Sequence, residues 1–221
     1  MSVGVRARLS VVAVAGVLSR GLLAALLCTG LCGAGACSQP ELPRFGPAPA
    51  FALRDHHGNP VTAQTLRGHV WIANFMFTSC PDVCPLLTSK LAGVRMHLRG
   101  DQVSVQYLSF TVDPATDTVE VLAKYAREHH ADFADWRFLT GDVAALQAVI
   151  VKGFKQAIET RPGEAGKPAN ILHGSHFVLV DATAQVRGYY RSDERGLLEL
   201  ARDAHILVRA AEKAGLPQGK P

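Results

Sequence analysis

The stretch Val70-Trp71-Ile72-Ala73-Asn74-Phe75-Met76-Phe77-Thr78-Ser79-Cys80-Pro81-Asp82-Val83-Cys84-Pro85 decides the fold. Its first eight residues, Val70–Phe77, are almost continuously apolar, the pattern of a central strand covered on both faces. Pro85 suits the first turn of a helix, because the N–H it lacks has no intrahelical duty there. From Pro85 to Leu98 the spacing predicts a helix with Leu86, Leu87, Leu91 and Val94 on its inner side. Cys80 and Cys84 therefore lie where a strand turns into a helix. A helix N-terminus stabilises thiolates, and the thiolate is both the nucleophilic and the metal-binding form of cysteine. Two thiols at i and i+4 across such a turn converge, so the pair can close a disulfide or grip a soft metal.

Outward from this junction, strand and helix signals alternate over residues 51–214. Upstream, Phe51-Ala52-Leu53 reads as a short strand, residues 56–60 as a turn, and Thr62–Leu66 as a helical turn capped by Thr62. Downstream, Val103–Val112 reads as a strand, Asp117-Thr118 opens a helix to His129, Trp136–Leu139 is a strand, and Asp142 caps a helix over Val143–Phe154. Glu159–Asn170 is expected to be a surface loop. Ser175–Asp181 and Gln185–Tyr190 read as a hairpin, followed by a last helix from Ser192 or Asp193 to about Lys213. Leu197, Leu198, Leu200, Ala201, Ile206 and Leu207 are expected to face inward on that helix, and Met76 and Met96 to pack in the core. A βαβ arrangement followed by a hairpin and a terminal helix predicts an α/β, thioredoxin-like fold, a central mixed sheet flanked by helices, with a short tail at 215–221. In such sheets the functional site lies at the strand-to-helix junction.

The N-terminus reads as an export signal over residues 1–36. Arg6 and Arg8 precede the apolar run Val11–Leu18, Arg20 precedes Gly21–Leu31, and small residues follow. Ala34-Gly35-Ala36 before Cys37 resembles a lipoprotein cleavage box, which makes Cys37 the candidate lipid anchor. Cleavage to a soluble periplasmic protein and an uncleaved anchor are the alternatives. All three place the domain in the bacterial cell envelope, facing the periplasm. Residues 37–50, with Pro40, Pro43, Pro47 and Pro49, read as a stiff spacer.

Charge narrows the partners. Three of the 23 Lys and Arg residues precede residue 37, leaving 20 basic against 19 acidic residues in the remainder. That balance gives no support for nucleic-acid binding. The 221 residues suffice for one substantial domain. Cysteine usage points to chemistry. Once Cys28, Cys32 and Cys37 are set aside with the N-terminal stretch, one pair remains, four residues apart. A staple for stability gains most from a long closed loop, so this short one suits a structural disulfide poorly.

Thioredoxin-like oxidoreductases carry CxxC, with a Pro facing the pair just before a later strand. Here three residues separate the cysteines, and the later approach reads Ile171-Leu172-His173-Gly174-Ser175, placing a His near the expected Pro. Two soft thiolates and one imidazole suit Cu(I), and an added oxygen ligand would suit Cu(II). Thr78–Pro85 (TSCPDVCP) together with His173–Asp181 (HGSHFVLVD) resembles the Sco (SenC) family of copper-binding assembly proteins for cytochrome c oxidase. Ser109–Thr118 (SFTVDPATDT) and Phe51–Val70 (FALRDHHGNPVTAQTLRGHV) extend the resemblance over about residues 47–210. It implies a thioredoxin-like fold binding one copper through Cys80, Cys84 and His173, with Cys80 and Cys84 also able to act as a redox disulfide. It implies delivery of copper to, or reduction of thiols in, the binuclear copper centre of the oxidase, a metallochaperone's role more than an enzyme's, with the copper-site subunit of the oxidase as partner and another periplasmic copper chaperone as a further candidate. Asp113-Pro114 reads as a turn that orders the loop beside the site, with Asp113 as an outer neighbour of the metal as the alternative. Leu172 stands where many members have Asp. His176, His56-His57 and His129-His130 read as strand-end, turn and helix-end residues, with His176 as a substitute ligand beside Leu172 and a second metal site at the histidine pairs as the alternatives.

Two other readings stand beside this one. A thiol–disulfide oxidoreductase would use Cys80 and Cys84 without needing His173. A peroxidase is disfavoured by the lack of a resolving cysteine away from the pair.

Overall fold

The long apolar run becomes the middle of a sheet. In the computed structural model the described residues are 41–80, 83–161, 170–173 and 175–216, with 158–161 and 170–173 described by backbone alone. The chain divides into two units, Met1–Glu41 and Leu42–Pro221. The signal, its cleavage box and Cys37 lie outside the described residues, among which no helix is long and apolar enough to cross a membrane.

The strands are β1 (Gly46–Pro47), β2 (Ala52–Asp55), β3 (Pro60–Thr62), β4 (Trp71–Met76), β5 (Gln106–Thr111), β6 (Trp136–Thr140), β7 (Ile158–Arg161), β8 (Asn170–His173), β9 (Phe177–Val180) and β10 (Gln185–Tyr190). The helices are α1 (Val83–Gly100), α2 (Val119–Glu128), α3 (Val143–Gln147) and α4 (Glu194–Lys213). Among the described residues, eight strands join in the order β1-β10-β9-β4-β5-β6-β2-β3, and β7 pairs with β8 separately. β4, β5 and β6 run parallel, while β9, β10, β2 and β3 are added antiparallel. This is the expected mixed sheet.

All six residues of β4 are buried because both faces are covered. Ile72 and Met76 pack with α1, α2 and α4, whereas Trp71, Ala73 and Phe75 pack with Phe51, Phe110, Ile150 and Phe154 on the other side. Truncating a side chain such as Leu91, which has 0% exposure, to Ala would cost about 2–5 kcal/mol. Caps set the helix starts. Thr118, Asp142 and Asp193 accept from Val121, Ala145 and Gly196 backbone N–H groups. Thr62, expected to cap the next turn, instead ends β3; the turn runs Gln64–Leu66 from Ala63 with no side-chain cap, and Thr62 Oγ1 accepts from Thr65 N–H within it.

Several expectations are corrected. Met96 is 73% exposed, and Leu86 and Leu198 are 53% and 64% exposed. Each lies on the outer side of its helix, one step around from the buried row Leu87-Leu91-Val94-Leu98 or Leu200-Ala204-Leu207. The expected loop over Glu159–Asn170 is flanked by pairing at both ends, Glu159 with Leu172 and Arg161 with Asn170. The helix beginning at Val143 widens after Gln147 into a π turn over Ala148–Gly153. Residues 45–48, within the stretch read as a spacer, line the sheet edge. Phe45 N–H and Ala48 N–H donate to Val186 and Ala184 carbonyls. Pro47 fits an edge strand, which needs no donor on its outer side. A Cβ on Gly153 would meet Pro49 Cβ at 2.4 Å, so this segment lies directly against the π turn.

Candidate metal centre

The thiol turn is built at the end of β4, where Met76 is in register with Thr111 of β5. Beyond the strand the chain folds back, and Cys80 N–H donates to Phe77 O at 3.4 Å. α1 then starts at Val83, and Cys84 N–H donates to Cys80 Sγ at 3.3 Å. The Cys80 sulfur therefore sits over the first-turn amides of α1, the position expected of a thiolate-stabilising site. Both cysteines are thiols, Cys80 partly exposed and Cys84 fully buried. Burial pushes the Cys84 thiol well above the usual thiol range, against a hydrogen bond to the Phe77 backbone, while Cys80 and Asp117 push it further up. A buried thiolate needs a compensating positive charge. A soft cation bridging to Cys80 supplies one, and the donor set fits such a guest. Pro81 and Asp82 lie outside the described residues.

Behind the turn stands a carboxylate that sequence reasoning used only as the start of a helix. Asp117 has 0% exposure. It accepts from Thr78 N–H at 3.2 Å at each oxygen, from the Thr78 hydroxyl, and from the Thr111 hydroxyl. Burial pushes its carboxyl up, and the hydrogen bonds from Thr111 and Thr78 pull it down. Asp113, the acid singled out from sequence, forms the expected turn. Its N–H donates to Thr111 Oγ1 and its carbonyl accepts from Thr116 and Asp117 N–H. The two acids are four residues apart in one motif, and only the second is buried against the thiol loop. No spacing rule separates them in advance. Tyr125, hydrogen-bonded to Thr88 at 3.0 Å, completes the wall, and both cysteines and Asp117 act on its phenol.

His173 ends β8, opposite Ile158 of β7. Ser175 and His176 follow and line an open cleft of about 360 Å³ with Lys90 of α1 and Arg191, Ser192 and Asp193 before α4. The segment after His173 thus runs beside the helix that carries Cys84. His176 is exposed.

The histidine pairs behave differently from the thiols. His129 closes α2 and its ring lies 4.2 Å from that of Tyr125, and His130 takes a left-handed φ of 51°. His56, His57 and Asp132 come close enough for one ion, with His56 and His57 Nε2 at 3.3 and 3.4 Å from Asp132 Oδ1. Yet Phe138 N–H donates to His56 Nδ1 at 3.2 Å. The ring has one lone pair in its neutral form, and that bond uses it. Nε2 therefore carries the proton and donates to Asp132. A metal-bound His does the reverse, donating through its far nitrogen. This cluster is a hydrogen-bonded pin between the β2–β3 turn, Asp132 and β6. The alternative of a second metal site is not supported there.

Three kinds of comparison relate this chain to known proteins. The SCO1/SenC family model matches residues 42–207. The SCO1 protein homolog of Bacillus subtilis is 31% identical over 176 residues, covering 79% of this chain and 89% of that protein. Among solved structures, a SCO1/SenC family lipoprotein from Bacillus anthracis superposes with TM-score 0.66 at 28% identity, covering 73% of this chain and 95% of that one. BsSco, described as having a disulfide switch and as a member of the Sco family of cytochrome c oxidase assembly proteins, gives TM-score 0.66 at 28% identity over 77% and 99% of the chains. Copper-bound yeast Sco1 gives TM-score 0.61 at 27% identity over 78% and 94%.

Proposed function

The chain belongs to the SCO1/SenC family, and from that premise we propose that it carries one copper ion on Cys80, Cys84 and His173 for the binuclear copper centre of cytochrome c oxidase. The observation that carries this reading is the convergence of two thiols at the α1 N-terminus, one of them buried where its anion needs a cation. Copper-bound yeast Sco1 supports the cargo, and the oxidase-assembly role of the Sco family supports the destination. The copper-site subunit of the oxidase is the receiving partner, and a second periplasmic copper chaperone is the proposed donor. The lipoprotein relative supports an envelope location, with Cys37 as the lipid-bearing residue.

Chemically, metal capture replaces the thiol protons with copper. The amide of Cys84 and the first turn of α1 stabilise negative charge on Cys80 Sγ. Asp117 holds Thr78 and thereby the turn. A second reading, preparation of the oxidase thiols by the Cys80/Cys84 dithiol, is favoured by the disulfide switch described for BsSco. Its step is balanced: the dithiol gives two electrons and two protons to a partner disulfide and becomes a disulfide.

Metal analysis of the domain expressed in a periplasm tests the first reading. One copper per domain is expected, with visible sulfur-to-copper charge transfer when oxidised. Cys80→Ser and His173→Ala should lose that band, and variants retaining stoichiometry and spectrum would remove these ligands from the site. Complementation of an oxidase-assembly defect by His173→Ala would select thiol reduction over copper transfer.

A further inference from the structure

The buried carboxylate behind the thiol turn has a task that its burial alone does not explain. Asp117 has three donors around it, Thr78 N–H, Thr78 O–H and Thr111 O–H, and among the described residues it hydrogen-bonds to no cation. Every one of these groups donates, so a protonated carboxyl would lose one bond. These donors favour the ionised form, and burial opposes it by pushing the carboxyl up. Two of the donors belong to Thr78, two residues before Cys80, and the third to the end of β5. The carboxylate also acts on the Cys84 thiol and on the Tyr125 phenol.

We propose that Asp117 is a positioning residue of the copper site, clamping Thr78 to fix the turn that carries Cys80 and using its buried charge to favour Cu(II) over Cu(I). The inference rests on the copper-carrying reading above and adds the residue that sets its preference between oxidation states. The sign follows from charge. Cu(II) with two thiolates and a neutral imidazole is neutral, whereas Cu(I) with the same ligands carries one negative charge. Reduction takes up one electron, supplied by an electrode, and releases nothing. A fixed negative charge nearby opposes that gain.

Asp117→Asn keeps an amide oxygen to accept from Thr78 while removing the charge. Protein-film or mediator-titration electrochemistry of the copper-loaded protein should show the Cu(II) preference falling about tenfold, a rise of about 59 mV in the one-electron potential. In the metal-free protein, amide hydrogen exchange at Thr78 should stay slow in Asp117→Asn and accelerate in Asp117→Ala. An unmoved potential in Asp117→Asn overturns the electrostatic role, and unchanged Thr78 exchange in Asp117→Ala overturns the clamp. If Asp117→Asn fails to fold, Thr78→Val replaces it. That variant keeps the carboxylate and should weaken copper affinity about tenfold at an unchanged potential, and an unaltered affinity overturns the clamp. Failure of the unmodified protein to bind copper would instead overturn the copper-carrying reading, with the exchange experiment still judging the clamp.

Discussion

Two clusters in this molecule look alike as lists of residues and differ as chemistry. At the end of β4, Cys80 and Cys84 meet at a helix N-terminus, with the sulfur of Cys80 accepting one amide. Near the β2–β3 turn, His56 and His57 stack at 4.0 Å and share Asp132. Both offer soft or borderline ligands within reach of one ion. At the thiol turn, deprotonation gives the sulfurs lone pairs that a soft ion can share. At the histidine cluster, the backbone N–H of Phe138 already uses the lone pair of His56, and the Nε2–H donates to Asp132. Proximity nominates a metal site, and where the protons sit decides it.

The sharpest way to break that contrast is to exchange the two clusters in one assay. Cys84→Ser should lower copper affinity by more than about 100-fold, measured against a competing chelator, because it removes a thiolate ligand outright. Unfolding stability of the metal-free protein should move little, since the serine is close in size to the cysteine. His56→Ala should do the opposite. Its side chain is 1% exposed and its loss orphans Phe138 N–H and one bond to Asp132, so destabilisation of about 2–4 kcal/mol is expected in denaturant unfolding. Copper stoichiometry and affinity should be unchanged. A lower copper content in folded His56→Ala would make the histidine cluster a metal site after all.

Proton release sharpens the thiol side. Burial holds the Cys84 thiol above its ordinary value of 9.0, so copper must displace a bound proton there at neutral pH. Apparent copper affinity should therefore rise about tenfold per pH unit from this thiol alone, from about pH 7 to pH 9, after correction for the chelator. A flat profile would mean that Cys84 is already a thiolate before metal arrives.

How much of this was legible beforehand depends on the range of the interaction. The strand–turn–helix unit at 70–98 is local. An apolar run, a proline at the first helical turn and a 3.6 period specify it, and the structure agrees to within a few residues. The caps at Thr118, Asp142 and Asp193 are local too. Edge pairing of Gly46–Pro47 with β10 is not, because it joins residues about 140 positions apart through backbone groups that any sequence possesses. Met96 shows the limit of hydrophobicity as a guide. Its helix buries one stripe, and a single apolar residue on the other side costs little to expose. At the candidate site, Cys80 and Cys84 were readable from their spacing, whereas Asp117 emerges only when β5 and the start of α2 bring it under Thr78. The fate of His56 likewise hangs on an amide of β6, 82 residues away in sequence.

The smallest expected effect separates the two histidines from each other. His56 is buried and its pKa is lowered, chiefly by desolvation, below the ordinary 6.5, with the Asp132 hydrogen bond opposing the shift. A base with a depressed folded-state pKa contributes stability that is fully present above 6.5 and fades as pH falls through the folded value. Acidification from neutral pH should therefore weaken the domain, and His56→Ala should remove that part of the slope. His57 is 53% exposed and meets Asp132 at 3.4 Å across water-accessible surface. Its replacement by Ala should change stability by no more than about 0.5 kcal/mol and leave the acid slope with His56. Equal slopes in the His56→Ala and unmodified proteins would show that the lone pair held by Phe138 is not what keeps this ring neutral.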